Sequence, residues 1–138
     1  MPRMRAAKTG KYAITKHEFY TCLHFAYQYQ EWLDKYNALS DSVKAITSDG
    51  MPHGMNASNP TERLAIKRSE LKDKMDLIDT CVLEAVDGDK VMYEFLHRGV
   101  TDERVNCDYL VTTMNMPCSR NTYYAMRRRF YYYLSQKI

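Results

Sequence analysis

The chain has 138 residues, a formal net charge of +3 and four cysteines, a size that suits one domain, or one domain with a helical appendage. Its ordinary apolar and charged fractions exclude general disorder. No apolar run approaches a membrane span or the core of a signal peptide, so a cytoplasmic protein without membrane contact is expected.

The charge is unevenly spread. Residues 1–16 carry five basic groups and no acid; residues 104–138 carry six against Asp108 alone; residues 17–103 hold nine basic and sixteen acidic groups. Two basic ends on an acidic body are the pattern of an electrostatic footprint confined to particular surfaces. The plainer account, a solvated face, competes with it for the N-terminal end.

In chain order, residues 1–14 lack apolar periodicity and hold Arg3, Arg5, Lys8 and Lys11, which predicts a basic flexible arm. Thr15-Lys16-His17-Glu18 has the form of a capping box. Apolar and aromatic residues then recur at Phe19, Cys22, Leu23, Ala26, Tyr29, Leu33, Tyr36, Val43 and Ile46. Their three-four spacing predicts one amphipathic helix from Lys16 to Asp49, closed at Gly50. A helix that long needs a partner. Asn59-Pro60-Thr61-Glu62 starts one, with Asn59 as cap and Pro60 in the first turn. Leu64, Leu71, Met75, Ile78, Val82 and Ala85 form its seam, interrupted at Arg68. Lys67, Glu70, Lys72, Asp73, Lys74 and Asp76 are expected to be solvated. Residues 15–87 are thus expected to fold as a long antiparallel helical hairpin.

Residues 88–138 predict a three-helix unit of helix-turn-helix type. The first helix runs from Asp89 to Arg98, buries Val91, Phe95 and Leu96, and ends at Gly99. Asn106 caps a short helix over Cys107–Met114, and Pro117 prevents its continuation. Ser119 caps the last helix, on which Tyr123, Met126, Phe130 and Leu134 form an inward stripe. Ser119, Arg120, Asn121, Tyr124, Arg127, Arg128 and Tyr131 fall mainly on other faces and are the candidate DNA-binding residues. Arg and Asn side chains near the start of such a helix can read guanine and adenine edges, and other Arg and Tyr groups can hold phosphates. Packing rather than recognition is expected for Tyr123 and Tyr133.

Other chemistry finds little support. Cys22, Cys81, Cys107 and Cys118 form no C-x-x-C pair, and four reduced thiols are expected. His53 stands alone, His17 and His24 lie seven apart, and His97 is remote, so neither a metal site nor a cofactor is expected. No phosphate loop, G-x-S-x-G or H-E-x-x-H occurs, so there are no candidate catalytic residues and the chain is not expected to be an enzyme.

Two stretches resemble a known family. Asp49-Gly50-Met51-Pro52-His53-Gly54 with Asn59-Pro60-Thr61, and Met116-Pro117-Cys118-Ser119-Arg120-Asn121-Thr122-Tyr123-Tyr124 continuing through Arg127-Arg128-Arg129-Phe130 to Leu134-Ser135, are similar to the small phage transcriptional regulators of the RinA/ArpU type. The resemblance runs from about Phe19 to the C-terminus; the basic stretch before Thr15 does not match. It implies an activator of late phage genes (packaging, structural and lysis functions) in prophages of low-GC Gram-positive bacteria. It also implies a C-terminal region like the promoter-reading domain of sigma factors, with recognition positions at Ser119, Arg120, Asn121, Tyr124, Arg127 and Arg128.

The leading expectation is therefore sequence-specific binding of double-stranded promoter DNA, with host RNA polymerase and a second copy of the chain as further partners. A DNA-packaging factor of the terminase small-subunit type is the first alternative. A helical protein-interaction adaptor is the second.

Overall fold

A computed structural model describes residues 10–48 and 60–138, with backbone alone for 42–48. Among these residues every regular element is a helix: α1 (Lys16–Tyr27), α2 (Tyr29–Ser48), α3 (Pro60–Ala85), α4 (Lys90–Thr101), α5 (Cys107–Thr112) and α6 (Arg120–Ser135). The expected helix end at Gly50, the Pro52-His53-Gly54 loop, the Asn59 cap and most of the basic arm lie outside the described residues.

The capping box forms as expected. The Thr15 hydroxyl accepts from the Glu18 amide and the Glu18 carboxylate from the Thr15 amide, both at 3.1 Å, an arrangement worth about 1 kcal/mol. The single helix expected from Lys16 to Asp49 does not form: it is interrupted at Gln28. The Gln28 side-chain amide donates to the His24 carbonyl at 3.4 Å. That carbonyl would ordinarily receive the Gln28 backbone amide, which turns instead to Phe25 O at 3.3 Å. The ladder tightens there and α1 closes. The three-four spacing of apolar residues runs through this point unbroken, which is why periodicity hides the interruption.

By packing, the chain divides into two compact units: residues up to Tyr29 together with Leu77–Ile138, and Gln30–Asp76. In the smaller unit the Arg68 guanidinium lies 4.4 Å from the Tyr36 ring centre, and the Lys74 ammonium 5.6 Å from that of Trp32. The residue that interrupts the apolar seam of α3 is thus a cation on an aromatic face. The two pairs run in opposite directions along the chain.

In the larger unit α1 packs on α6 and α4, and α4 and α5 also pack on α6. Phe19, Cys22, Leu23 and Ala26 of α1 are buried, as are Ile78, Val82 and Ala85 at the end of α3. Asp87 and Gly88 take left-handed conformations (φ +52° and +80°), and the Gly88 amide returns to Leu83 O at 3.0 Å, closing α3. Asp89 then caps α4 through the amides of Val91 and Met92.

Two expectations for α4 need correction. Val91 is 59% exposed, and Met92 takes the buried place beside Leu96. Gly99 does not end the helix; it lies inside it and is buried. A Cβ at Gly99 would overlap the Tyr123 hydroxyl of α6, so the glycine lets these helices approach closely.

Candidate nucleic-acid interface

The segment from α5 to α6 is built by local hydrogen bonds. The Asn106 side chain accepts from the Tyr109 amide at 2.8 Å and caps α5. Asn115 has φ +53°, a conformation that asparagine tolerates better than most residues. The Met116 amide then returns to Leu110 O at 3.0 Å and the Met116 side chain is buried. The Ser119 hydroxyl accepts from the Thr122 amide at 3.1 Å and caps α6. Both caps are the ones the sequence predicts.

On α6 the predicted stripe of Tyr123, Met126, Phe130 and Leu134 is fully buried, but the buried arc is wider. Arg127 and Tyr131, expected on the DNA-facing side, are 6% and 2% exposed. Neighbours on two flanks explain this. α4 and α5 cover one flank, with the Tyr123 hydroxyl against Gly99. α1 covers the other, where Phe19 meets Tyr131 edge to face at 5.0 Å and the Cys22 thiol donates to Tyr131 O at 3.7 Å.

The Arg127 guanidinium donates to the Tyr131 phenol through Nε and Nη2, each at 3.3 Å. It also lies 5.9 Å from the Tyr123 ring centre and 5.7 Å from that of Tyr131. No carboxylate pairs with it among the described residues. Burial raises the Tyr123, Tyr131 and Tyr27 phenols above their ordinary value, while the Arg127 cation pulls each back. The phenols are therefore neutral at physiological pH. Burial also opposes the Arg127 cation, and the surrounding phenol oxygens and ring faces sustain it.

The remaining candidates stay on the surface. Ser119, Arg120, Asn121 and Arg128 are exposed, and Tyr124 is half-buried. Asn121, Tyr124, Arg128 and two residues not among the candidates, Ala125 and Tyr132, follow helical spacing down the outer side of α6. That spacing could have revealed the stripe once Asn121 was taken as its start.

Charge pairing thins the basic character of this region. Arg120 pairs with Asp108 of α5, Arg104 with Asp102 at 3.2 Å, Arg129 with Asp87 at 3.5 Å and Lys137 with Glu84 at 2.7 Å. The Arg104 contact holds the Asp102 carboxyl below its ordinary range. Among the described residues, Arg128 is the one basic group between 104 and 138 that is exposed and without an ion pair.

Elsewhere, His97 Nε2 meets Asp79 Oδ1 at 2.8 Å, and Tyr29 donates to Asp79 Oδ2 at 3.4 Å. This ties the first residue of α2 to α3 and α4. Cys22, Cys81 and Cys107 are buried free thiols and Cys118 is half-buried. Burial pushes Cys22 and Cys81 up to about 11, which leaves little nucleophilic thiolate near neutrality. Among the described residues no three His, Cys, Asp or Glu side chains converge as a metal site, and no helix is long and apolar enough to cross a membrane.

Among the described residues the regular structure is entirely helical, and an exposed side of α6 carries Asn121 and Arg128. Comparison with family models, with curated proteins and with solved structures found no match.

Proposed function

We propose that the protein binds double-stranded DNA through the amino-terminal turn and outer stripe of α6, and acts as a phage transcriptional regulator. In this reading residues 88–138 are a helix-turn-helix unit with α6 as the reading helix, and α2 and α3 form the antiparallel hairpin. The observation that carries it is the exposure of Asn121 and Arg128, two turns apart on one stripe, with the small side chain of Ala125 between them. Ala125 lets the helix backbone come close to base edges, where Asn and Arg offer bidentate contacts. Tyr124 and the Arg120 at the helix start suit phosphates, Arg120 by exchanging Asp108 for a phosphate oxygen.

Arg127 and Tyr131 have no part in this version of the site; they hold the helix in place. Late-gene activation, contact with host RNA polymerase and pairing of two copies are the wider proposals, and they rest on the resemblance of the Met116–Ser135 stretch to phage regulators.

The test is fluorescence anisotropy with duplexes from the upstream region of the late genes of the encoding phage, titrated with salt and with unrelated competitor DNA. Salt-sensitive binding that resists competitor and weakens in Asn121→Ala and Arg128→Ala is expected. Equal affinity for unrelated duplexes would remove the sequence-specific part of the proposal.

The adaptor reading has one observation in its favour: Arg104, Arg120, Arg129 and Lys137 are each already matched by a carboxylate. Absence of duplex binding at low salt would favour it.

A further inference from the structure

We infer that Lys11 and Tyr12 extend the DNA-facing stripe of α6, so that the Lys11 ammonium meets the duplex beside Tyr132. This inference rests on the proposed function and adds a second, separately encoded part to its surface.

Three observations support it. The Tyr12 ring packs edge-on against Tyr132 at 5.4 Å and against Tyr133 at 6.1 Å. The Ala13 amide closes a turn onto Gly10 O at 3.2 Å, with Gly10 at φ +98°. The segment from Gly10 to Thr15 is thus seated on the C-terminal half of α6. The Lys11 ammonium lies 5.5 Å from the Tyr12 ring centre, and Lys11 is exposed.

Tyr132 follows Arg128 by four residues, so it lies on the same stripe about 6 Å further along the helix axis. A positive group carried by a different part of the chain is therefore brought to the end of the row formed by Asn121, Ala125 and Arg128. Anchoring at Tyr12 fixes where the Lys11 charge lies, so its contact with a phosphate becomes intramolecular once α6 has engaged the duplex, which raises its effective concentration.

The test compares the full-length protein with Lys11→Gln, Tyr12→Ala, Tyr12→Phe and Arg128→Gln on a fluorescein-labelled random-sequence DNA duplex over a range of salt. Folding of each variant is checked by circular dichroism. Lys11→Gln should flatten the plot of log affinity against log salt by about 1. Tyr12→Ala removes no charge, yet should lower affinity and flatten the slope; Tyr12→Phe keeps the ring and should bind as the parent does.

Parent-like binding by folded Lys11→Gln and Tyr12→Ala, with Arg128→Gln weakened, would overturn the inference and leave the proposed function standing. Parent-like binding by Arg128→Gln as well, or no binding by the parent, would remove both.

Discussion

Arg127 and Tyr131, one turn apart on α6, form a buried pair in which two guanidinium nitrogens donate to one phenol oxygen, each at 3.3 Å. A cation in the interior with neutral partners is costly to desolvate, yet its removal also leaves a phenol unsatisfied and a space to fill. Arg127→Ala is therefore expected to destabilise the protein by about 2–4 kcal/mol. Arg127→Met keeps most of the volume without the charge and should stay within about 1.5 kcal/mol of the parent. Urea denaturation of both variants is the measurement. Arg127→Met should retain duplex binding; its loss in a folded variant would return Arg127 to the recognition surface.

Ala125 lies in the middle of the exposed stripe. Ala125→Glu places a carboxylate where the proposal puts the floor of a groove. It should abolish duplex binding while changing stability by no more than about 0.5 kcal/mol. Binding and melting measured on the same preparation decide the matter. Full affinity in a folded Ala125→Glu protein would mean that DNA does not approach this face.

The Tyr123 hydroxyl is buried with no hydrogen-bond partner among the described residues, and it stands against Gly99. Tyr123→Phe should stabilise the protein by about 1 kcal/mol. Gly99→Ala should destabilise it by about 2 kcal/mol or more, since the overlap with Tyr123 outweighs a gain in helix propensity of about 1 kcal/mol. The two changes should be coupled: in the Tyr123→Phe background the cost of Gly99→Ala should fall. A thermodynamic cycle giving strict additivity would contradict the close approach.

Alkaline pH should unfold the larger unit. Burial raises the Cys22 and Cys81 thiols from 9.0 to about 11 and is the first cause of the rise of Tyr93 from 10.0 to about 12. A folded-state value above the unfolded one means that the unfolded chain loses its proton first. The stabilisation is complete below about pH 9 for the thiols and pH 10 for the phenol, and is lost as pH rises through the folded values. Tyrosinate absorbance should grow together with the loss of helical circular dichroism. Full ionisation of the tyrosines in a protein that stays helical would contradict it.

How much of this was legible in the sequence depended on how local the cause was. The caps at Thr15, Asn106 and Ser119 were readable, because each needs only residues three apart. So was the stripe of Tyr123, Met126, Phe130 and Leu134, since helical spacing alone places it. Arg127 and Tyr131 were misplaced because one stripe presumes one neighbour. α6 has neighbours on two flanks, and its buried arc widens to i, i+3, i+4, i+7 and i+8. Polar atoms disguised the two residues that fill the added width. The pairing of Arg120 with Asp108 depended on the angle between α5 and α6, which no spacing encodes. Gln28 was missed for a different reason: a side chain competing for a backbone carbonyl leaves no mark on hydrophobic periodicity.

The closing of α1 at Gln28 also determines what a spectroscopic probe would report. Trp32 is the only tryptophan in the sequence and lies in the Gln30–Asp76 unit, whereas eleven of the twelve tyrosines lie in the other. Indole fluorescence therefore follows one unit, and tyrosine ellipticity follows almost entirely the other. A shared midpoint from the two signals would show that the units unfold together, and separate midpoints that they unfold in steps.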